Sequence, residues 1–177
     1  LRLALLLSIL VILIAEGINY AMGHPLICKC GTVKLWHGGR GDSEISQHIA
    51  DWYTYSHVLH GVIFYWLISW IAQGRLSVAA RLLLAVGIEA GWEVLENTPL
   101  IINRYRAVTI SRQYFGDSIV NSTADILAMM VGFWLTARLP AWITVALIVA
   151  VEIGLLLLIR DNLFLNVLML VHPVEAI

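Results

Sequence analysis

Charge is what this sequence has least of. Only 13% of its 177 residues are Asp, Glu, Lys or Arg, where a soluble domain carries about a quarter. With a mean hydropathy of +0.83, that shortage excludes a disordered chain and an ordinary water-soluble enzyme. Lys and Arg number 11 against 12 Asp and Glu. There is no basic excess for a polyanion, and nucleic acid drops out as a partner. No segment resembles a nucleophile elbow, a P-loop or a dinucleotide fingerprint. Two cysteines, spaced Cys28-Lys29-Cys30, exclude a Cys-x-x-Cys-His haem attachment.

Apolar length fills the gap. A bilayer-spanning helix needs roughly 20 mainly apolar residues. Five stretches qualify, at about 3–22, 53–72, 78–102, 118–139 and 142–159. Their length and lack of period-two alternation exclude strands. The tail at about 162–171 is apolar but too short to span, and Pro173 stops it. It reads as an interfacial or re-entrant helix. The fold class is thus an all-α integral membrane protein. It is a five-helix transmembrane bundle with a short C-terminal helix, forming a single domain over 1–177. The one long connection, 23–52, holds Trp36, His37, His48 and both cysteines. Connections of that length are usually functional or disordered, and this composition predicts order.

Ionisable residues inside a bilayer are costly and mark function by default. Here they fall in register. The second stretch carries His57 and His60, the third Glu89, Glu93 and Glu96, and the fourth Asp117, Asn121 and Asp125. Each spacing puts its set on one helical face. At 1.5 Å per residue, His60 and Asp125 lie about 12 Å, and Glu93 about 14 Å, from the side of the long loop. The equal depth predicts that His60, Glu93 and Asp125 are within mutual reach, directly or through one ion or water. These three are the candidate catalytic residues. Structural glue between helices explains one or two such groups. It explains seven poorly, because carboxylates this close need a cation or a proton between them.

Histidines facing carboxylates across helices match the donor types of bundle metal sites. The candidate ligands are His57, His60, Glu89, Glu93, Glu96, Asp117 and Asp125. Zinc suits the mixed set, with one position left for water, and manganese or iron also suits it. Hydrogen bonding among these groups without a metal satisfies the same pattern, so a cofactor stays open. Arg104, Arg106 and Arg112 precede Asp117 on one short segment. Guanidinium forks suit phosphate or carboxylate. At the mouth of the polar cavity they would hold an anionic headgroup, or else pair with Glu96 and Asp117. Cys28 and Cys30 read as loop thiols. A disulfide across one intervening residue is strained, and His24 or His37 leaves a thiolate metal site short of a full set.

The motifs Cys28-Lys29-Cys30-Gly31, Trp36-His37-Gly38, Ser46-Gln47-His48 and Asp51-Trp52-Tyr53-Thr54 resemble a bacterial inner-membrane family with a domain of unknown function. The resemblance continues through Trp92-Glu93, Glu96-Asn97-Thr98-Pro99, Asn103-Arg104-Tyr105-Arg106, Gly116-Asp117-Ser118 and Ile159-Arg160-Asp161-Asn162. It implies a multi-pass plasma-membrane protein and no established activity. More distantly, the order of Asp and His, then Glu, then Arg, Asp and Asn is similar to VanZ-like proteins, which are associated with glycopeptide resistance.

Two functions fit. One is an intramembrane enzyme or binding protein for an amphiphilic or lipid ligand. The other is a non-catalytic accessory subunit of a larger membrane-protein complex. Basic residues near helix ends conflict over orientation: seven lie on the side of the long loop and four on the other, which by count favours that loop in the cytoplasm. The four, however, sit beside very short turns, where the rule is strongest. Several of the seven belong with the site. The expected topology is therefore a cytoplasmic N-terminus and a periplasmic polar face.

Overall fold

In the computed structural model, which describes residues 2–174, all five apolar runs become helix. Residues 1 and 175–177 of the expected single domain lie outside the described residues. Seven helices are present among them: α1 Arg2–Ala21, α2 Thr54–Ala72, α3 Val78–Glu96, α4 Pro99–Val108, α5 Ile119–Arg138, α6 Ala141–Ile159 and α7 Leu163–Val171. The third apolar run, expected as one helix over 78–102, is two. Pro99 excludes helical backbone at the residue before it, so Thr98 is extended and Pro99 opens α4. Arg104 and Arg106, expected on a loop, consequently stand on a helix.

Three helices, α1, α5 and α6, are long and apolar enough to cross a membrane. Each of α2 and α3 has 19 residues, the length of a span. They carry the polar groups, however: His57 and His60 on α2, and Arg81, Glu89, Glu93 and Glu96 on α3. Three of the five expected spans therefore qualify by length and composition together, and α2 and α3 match in length only.

The most extensive packing is α2 against α5, followed by α1 against α3, and α3 also meets α5 and α2. Two glycines set the α2–α5 distance. A Cβ on Gly61 would stand 2.0 Å from the Met129 carbonyl oxygen, and one on Gly132 would stand 2.0 Å from that of Val58. Small residues at such crossings let backbones touch. Around the crossing Val86, Ala90, Ile126, Met129 and Phe133 form the apolar core. In contrast, α6 touches the bundle chiefly through α2 and leaves Trp142, Val149 and Leu157 exposed.

The long loop docks on the start of α5 and supplies what that helix end lacks. The first N–H groups of a helix have no partner within it. Those of Ser118, Ile119 and Val120 donate to the carbonyls of Ser46, Pro25 and Leu26 at 3.0, 2.9 and 3.2 Å. The Asn121 amide donates to the His48 carbonyl at 2.8 Å, and the Gln47 amide to that of Gly116 at 2.7 Å. On the loop's outer side Lys34 pairs with Glu44. The Lys34 ammonium holds the Glu44 carboxyl down at about 2. That contribution is present above the ordinary carboxylate pKa and is lost as pH falls towards about 2.

The close α2–α5 approach has a measurable consequence. Gly132→Val forces the backbones apart, and overpacking of this kind costs ~1–3 kcal/mol. Thermal unfolding of the detergent-solubilised protein will show a lowered midpoint. Gly87→Val, where an added Cβ meets nothing within 4 Å, will leave the midpoint near that of the wild type.

Candidate functional site

Helices α2, α3 and α5 bring their polar faces together at His57. Its Nδ1 lies 2.7 Å from Glu89 Oε1 and 3.4 Å from Glu93 Oε1, and its Nε2 lies 3.8 Å from Asp125 Oδ2. One turn on, His60 Nδ1 lies 3.0 Å from both oxygens of Glu89. Each histidine thus turns Nδ1 to Glu89, whose carboxylate accepts from both rings. The hub is His57, not the expected His60.

Satisfaction is uneven. Glu89 and Glu93 are both fully buried at 0% exposure. Glu89 is bonded to two histidines, whereas neither oxygen of Glu93 accepts a hydrogen bond, nor does Asp125 Oδ1. Buried carboxylate oxygens left alone are expensive. Donor atoms of His57, Glu93 and Glu96 come within 4.8 Å of one another, as do those of His57, His60 and Glu89. These two sets share His57. Asp117, expected as a ligand, joins neither. Its oxygens already accept from the Tyr114 hydroxyl at 3.0 Å and the Asn97 amide at 2.8 Å, which ties α5 to the end of α3. Asp125 stays against His57 Nε2.

Beside the cluster lies a cavity of about 330 Å³. Its polar side is His57, His60, Glu96, Asp117 and Asp125, and its apolar side includes Phe64, Ile88 and Trp92. Leu163, Asn166, Val167 and Leu170 of α7 complete it. The position of α7 is fixed by Glu152 of α6, whose two oxygens accept from the N–H groups of Leu163 and Phe164 at 3.1 Å each. The other end is held by Arg104, whose Nε donates to the Leu170 carbonyl at 3.0 Å.

None of the three arginines expected at the mouth lines this cavity. Arg104 is turned to α7, Arg106 is exposed, and Arg112 lines a separate cavity together with Arg160. The α4 helix turns Arg104 to α7 and leaves Arg106 exposed, and Arg112 follows on the segment between α4 and α5. Sequence reasoning also missed Tyr53, whose hydroxyl donates to Asp161 at 2.9 Å, and Glu16 of α1, which accepts from Ser122 at 2.8 Å. Glu16 carried a signal, being a carboxylate inside an apolar run. Tyr53 carried none, since a tyrosine at a helix start is ordinary.

Cys28 and Cys30 are joined as a disulfide, with Cα atoms 5.1 Å apart, where free loop thiols were expected. The Cys28 side is buried and Cys30 is exposed.

A family model described as a protein of unknown function, DUF2585, matches residues 19–177. The chain belongs to that family. A UPF0314 protein of Paracoccus denitrificans is 54% identical over 170 residues, covering 96% of this chain and 88% of that protein. One from Rhizobium etli is 54% identical over 167 residues, covering 94% and 85%. Another from Sphingopyxis alaskensis is 53% identical over 156 residues, covering 88% and 82%. No solved structure matches the chain.

The two glutamates of α3 separate in their expected behaviour. Glu89→Gln removes the negative charge and one of the two acceptor oxygens that His57 and His60 share, and breaking a buried charged pair of this kind costs ~3–5 kcal/mol. Glu93→Gln removes a carboxylate that has no hydrogen bond and will be close to neutral or stabilising. Thermal unfolding of both variants in one detergent checks this. Equal losses would mean that Glu93 is as firmly paired as Glu89.

Proposed function

We propose that the protein is a multi-pass inner-membrane protein that binds an amphiphilic or lipid ligand in the cavity beside His57. The observation that carries this reading is Glu93, a fully buried carboxylate without a hydrogen bond. It stands behind the two cavity-lining donors, His57 and Glu96. A carboxylate so placed calls for a cation. Two ligand chemistries supply one: an ammonium headgroup, or a phosphate headgroup bridged by a divalent ion such as zinc, manganese or iron. Because Arg104, Arg106 and Arg112 lie elsewhere, a bare anionic head is disfavoured at this wall. The apolar part of the ligand lies along Phe64, Ile88 and Trp92.

In this reading α2 and α3 complete a five-span bundle with α1, α5 and α6. Crossing the bilayer with polar groups is tolerated when those groups face the bundle interior, as His57, Glu89 and Glu93 do. His60, Glu93 and Asp125 remain the candidates for any chemistry on the ligand. The exposed flank of α6 supports a second reading, in which the chain is an accessory subunit and α6 faces another membrane protein.

Native mass spectrometry of the protein extracted in mild detergent tests the two together. The first reading expects a bound amphiphile on the wild type, lost or much reduced in His57→Ala and Glu96→Gln, with elemental analysis showing whether an ion leaves with it. The same lipid complement on all three proteins would overturn it. A second polypeptide held stoichiometrically, with no amphiphile, would favour the subunit reading.

The expected topology puts the long loop in the periplasm. The disulfide supports this side, since disulfides persist in oxidising compartments. A membrane-impermeant reductant followed by an impermeant maleimide on spheroplasts will label Cys30. Labelling only after permeabilisation would place the loop in the cytoplasm.

A further inference from the structure

The long loop gathers a second set of metal-ligating side chains, apart from His57. The sulfurs of Cys28 and Cys30, a carboxylate oxygen of Glu44 and a ring nitrogen of His48 all lie within 4.8 Å of one another. His48 is 1% exposed, and its Nε2 stands 3.0 Å from Glu44 Oε2. His37 flanks the group, with Nδ1 3.9 Å from the same oxygen. The set is anchored at both ends. The His48 carbonyl accepts from Asn121 of α5, and the chain just before Cys28 supplies two carbonyls to the start of α5. These anchors hold the backbone beside Cys28 and at His48 against α5 independently of the sulfurs.

We propose that this loop is a redox-gated site for a thiophilic metal ion such as zinc, closed by the Cys28–Cys30 disulfide and opened by its reduction. Two thiolates, one imidazole and one carboxylate make a four-donor set of the types zinc takes. In the opening step a small dithiol delivers two electrons. The S–S bond breaks, Cys28 and Cys30 become thiols, and the dithiol leaves as its own disulfide. Binding a divalent ion then releases two thiol protons. The reductant reaches the bond through Cys30, which is exposed. Loading displaces three contacts. The hydrogen bond between His48 Nε2 and Glu44 gives way to coordination of both. The Lys34 ammonium gives up the Glu44 oxygen that the ion takes. The Lys34 N–H loses its 3.3 Å bond to His48 Nδ1, because a neutral imidazole bound through Nε2 carries its proton on Nδ1. A small-molecule disulfide reverses the step: it takes two electrons from the thiolates and two protons from solvent and leaves as its dithiol, the Cys28–Cys30 bond re-forms, only His48 and Glu44 remain and the ion leaves.

Cobalt(II) titration of the full chain in detergent, before and after reduction with the reductant removed under argon, tests the proposal. The expected result is a near-ultraviolet thiolate-to-cobalt band that saturates at one ion per chain. It should appear only in the reduced protein and be displaced by zinc. Cys28→Ser/Cys30→Ser will abolish the band, and Glu44→Gln will weaken it. His57→Ala, which removes the shared donor of the intramembrane sets, will leave it unchanged, so failure here and failure of the amphiphile reading are read separately. No band in the reduced wild type would overturn the proposal. So would a band that survives the double cysteine variant, or a disulfide that cannot be reduced without unfolding the chain.

Discussion

Glu89 is the residue on which the arrangement depends. At 0% exposure in the middle of an apolar bundle, its carboxylate is matched by protein groups, and an unmatched buried charge would be costly. The match comes from two histidines one turn apart on α2. That demand fixes α2 and α3 in rotation and in register. The glycine crossing does the same for α5. With Gly61 and Gly132 letting the two backbones touch, Asp125 is delivered to the far nitrogen of His57. One imidazole of α2 thus faces carboxylates of both α3 and α5, and the polar side of the cavity is the surface the three helices share.

The rest of the molecule serves that surface from outside. The long loop closes the start of α5 and carries Ile45 and Ser46 to the cavity wall. Asp117, held by Tyr114 and Asn97, joins α5 to the end of α3. Helix α7 is a partition. Leu163, Val167 and Leu170 face the acidic cavity, whereas Leu165 and Met169 face the one lined by Arg112 and Arg160. Carboxylates and histidines line one side of this partition, and Arg112 and Arg160 together with Asp161 line the other.

Much of this was legible in the sequence, and the failures have identifiable causes. Apolar length located the helices, and the i,i+3 and i,i+4 spacings of His57, His60, Glu89 and Glu93 put these residues on facing sides. Depth arithmetic brought the right level of α2, α3 and α5 together. It could not choose between His57 and His60, which differ by about one turn, because the choice depends on helix rotation. The break at Pro99 was readable from the proline, yet the apolar residues beyond it were taken as one run. That error carried the arginines to the wrong place. A helix over Pro99–Val108 turns Arg104 towards α7, where a loop had been expected to hold it at the mouth of the polar cavity or else to pair it with Glu96 and Asp117. The loop cluster was invisible for a different reason. Cys28 and His48 are 20 residues apart, and only the docking of both segments on α5 brings them together.

The central claim is that the cavity beside His57 holds the polar end of an amphiphile. An experimental density map of the protein, extracted with its native lipids into nanodiscs, tests it most directly. The account predicts elongated density along Phe64, Ile88 and Trp92, with its compact end against His57 and Glu96. A cavity filled by inward-turned side chains of α7, or holding ordered water alone, would contradict it.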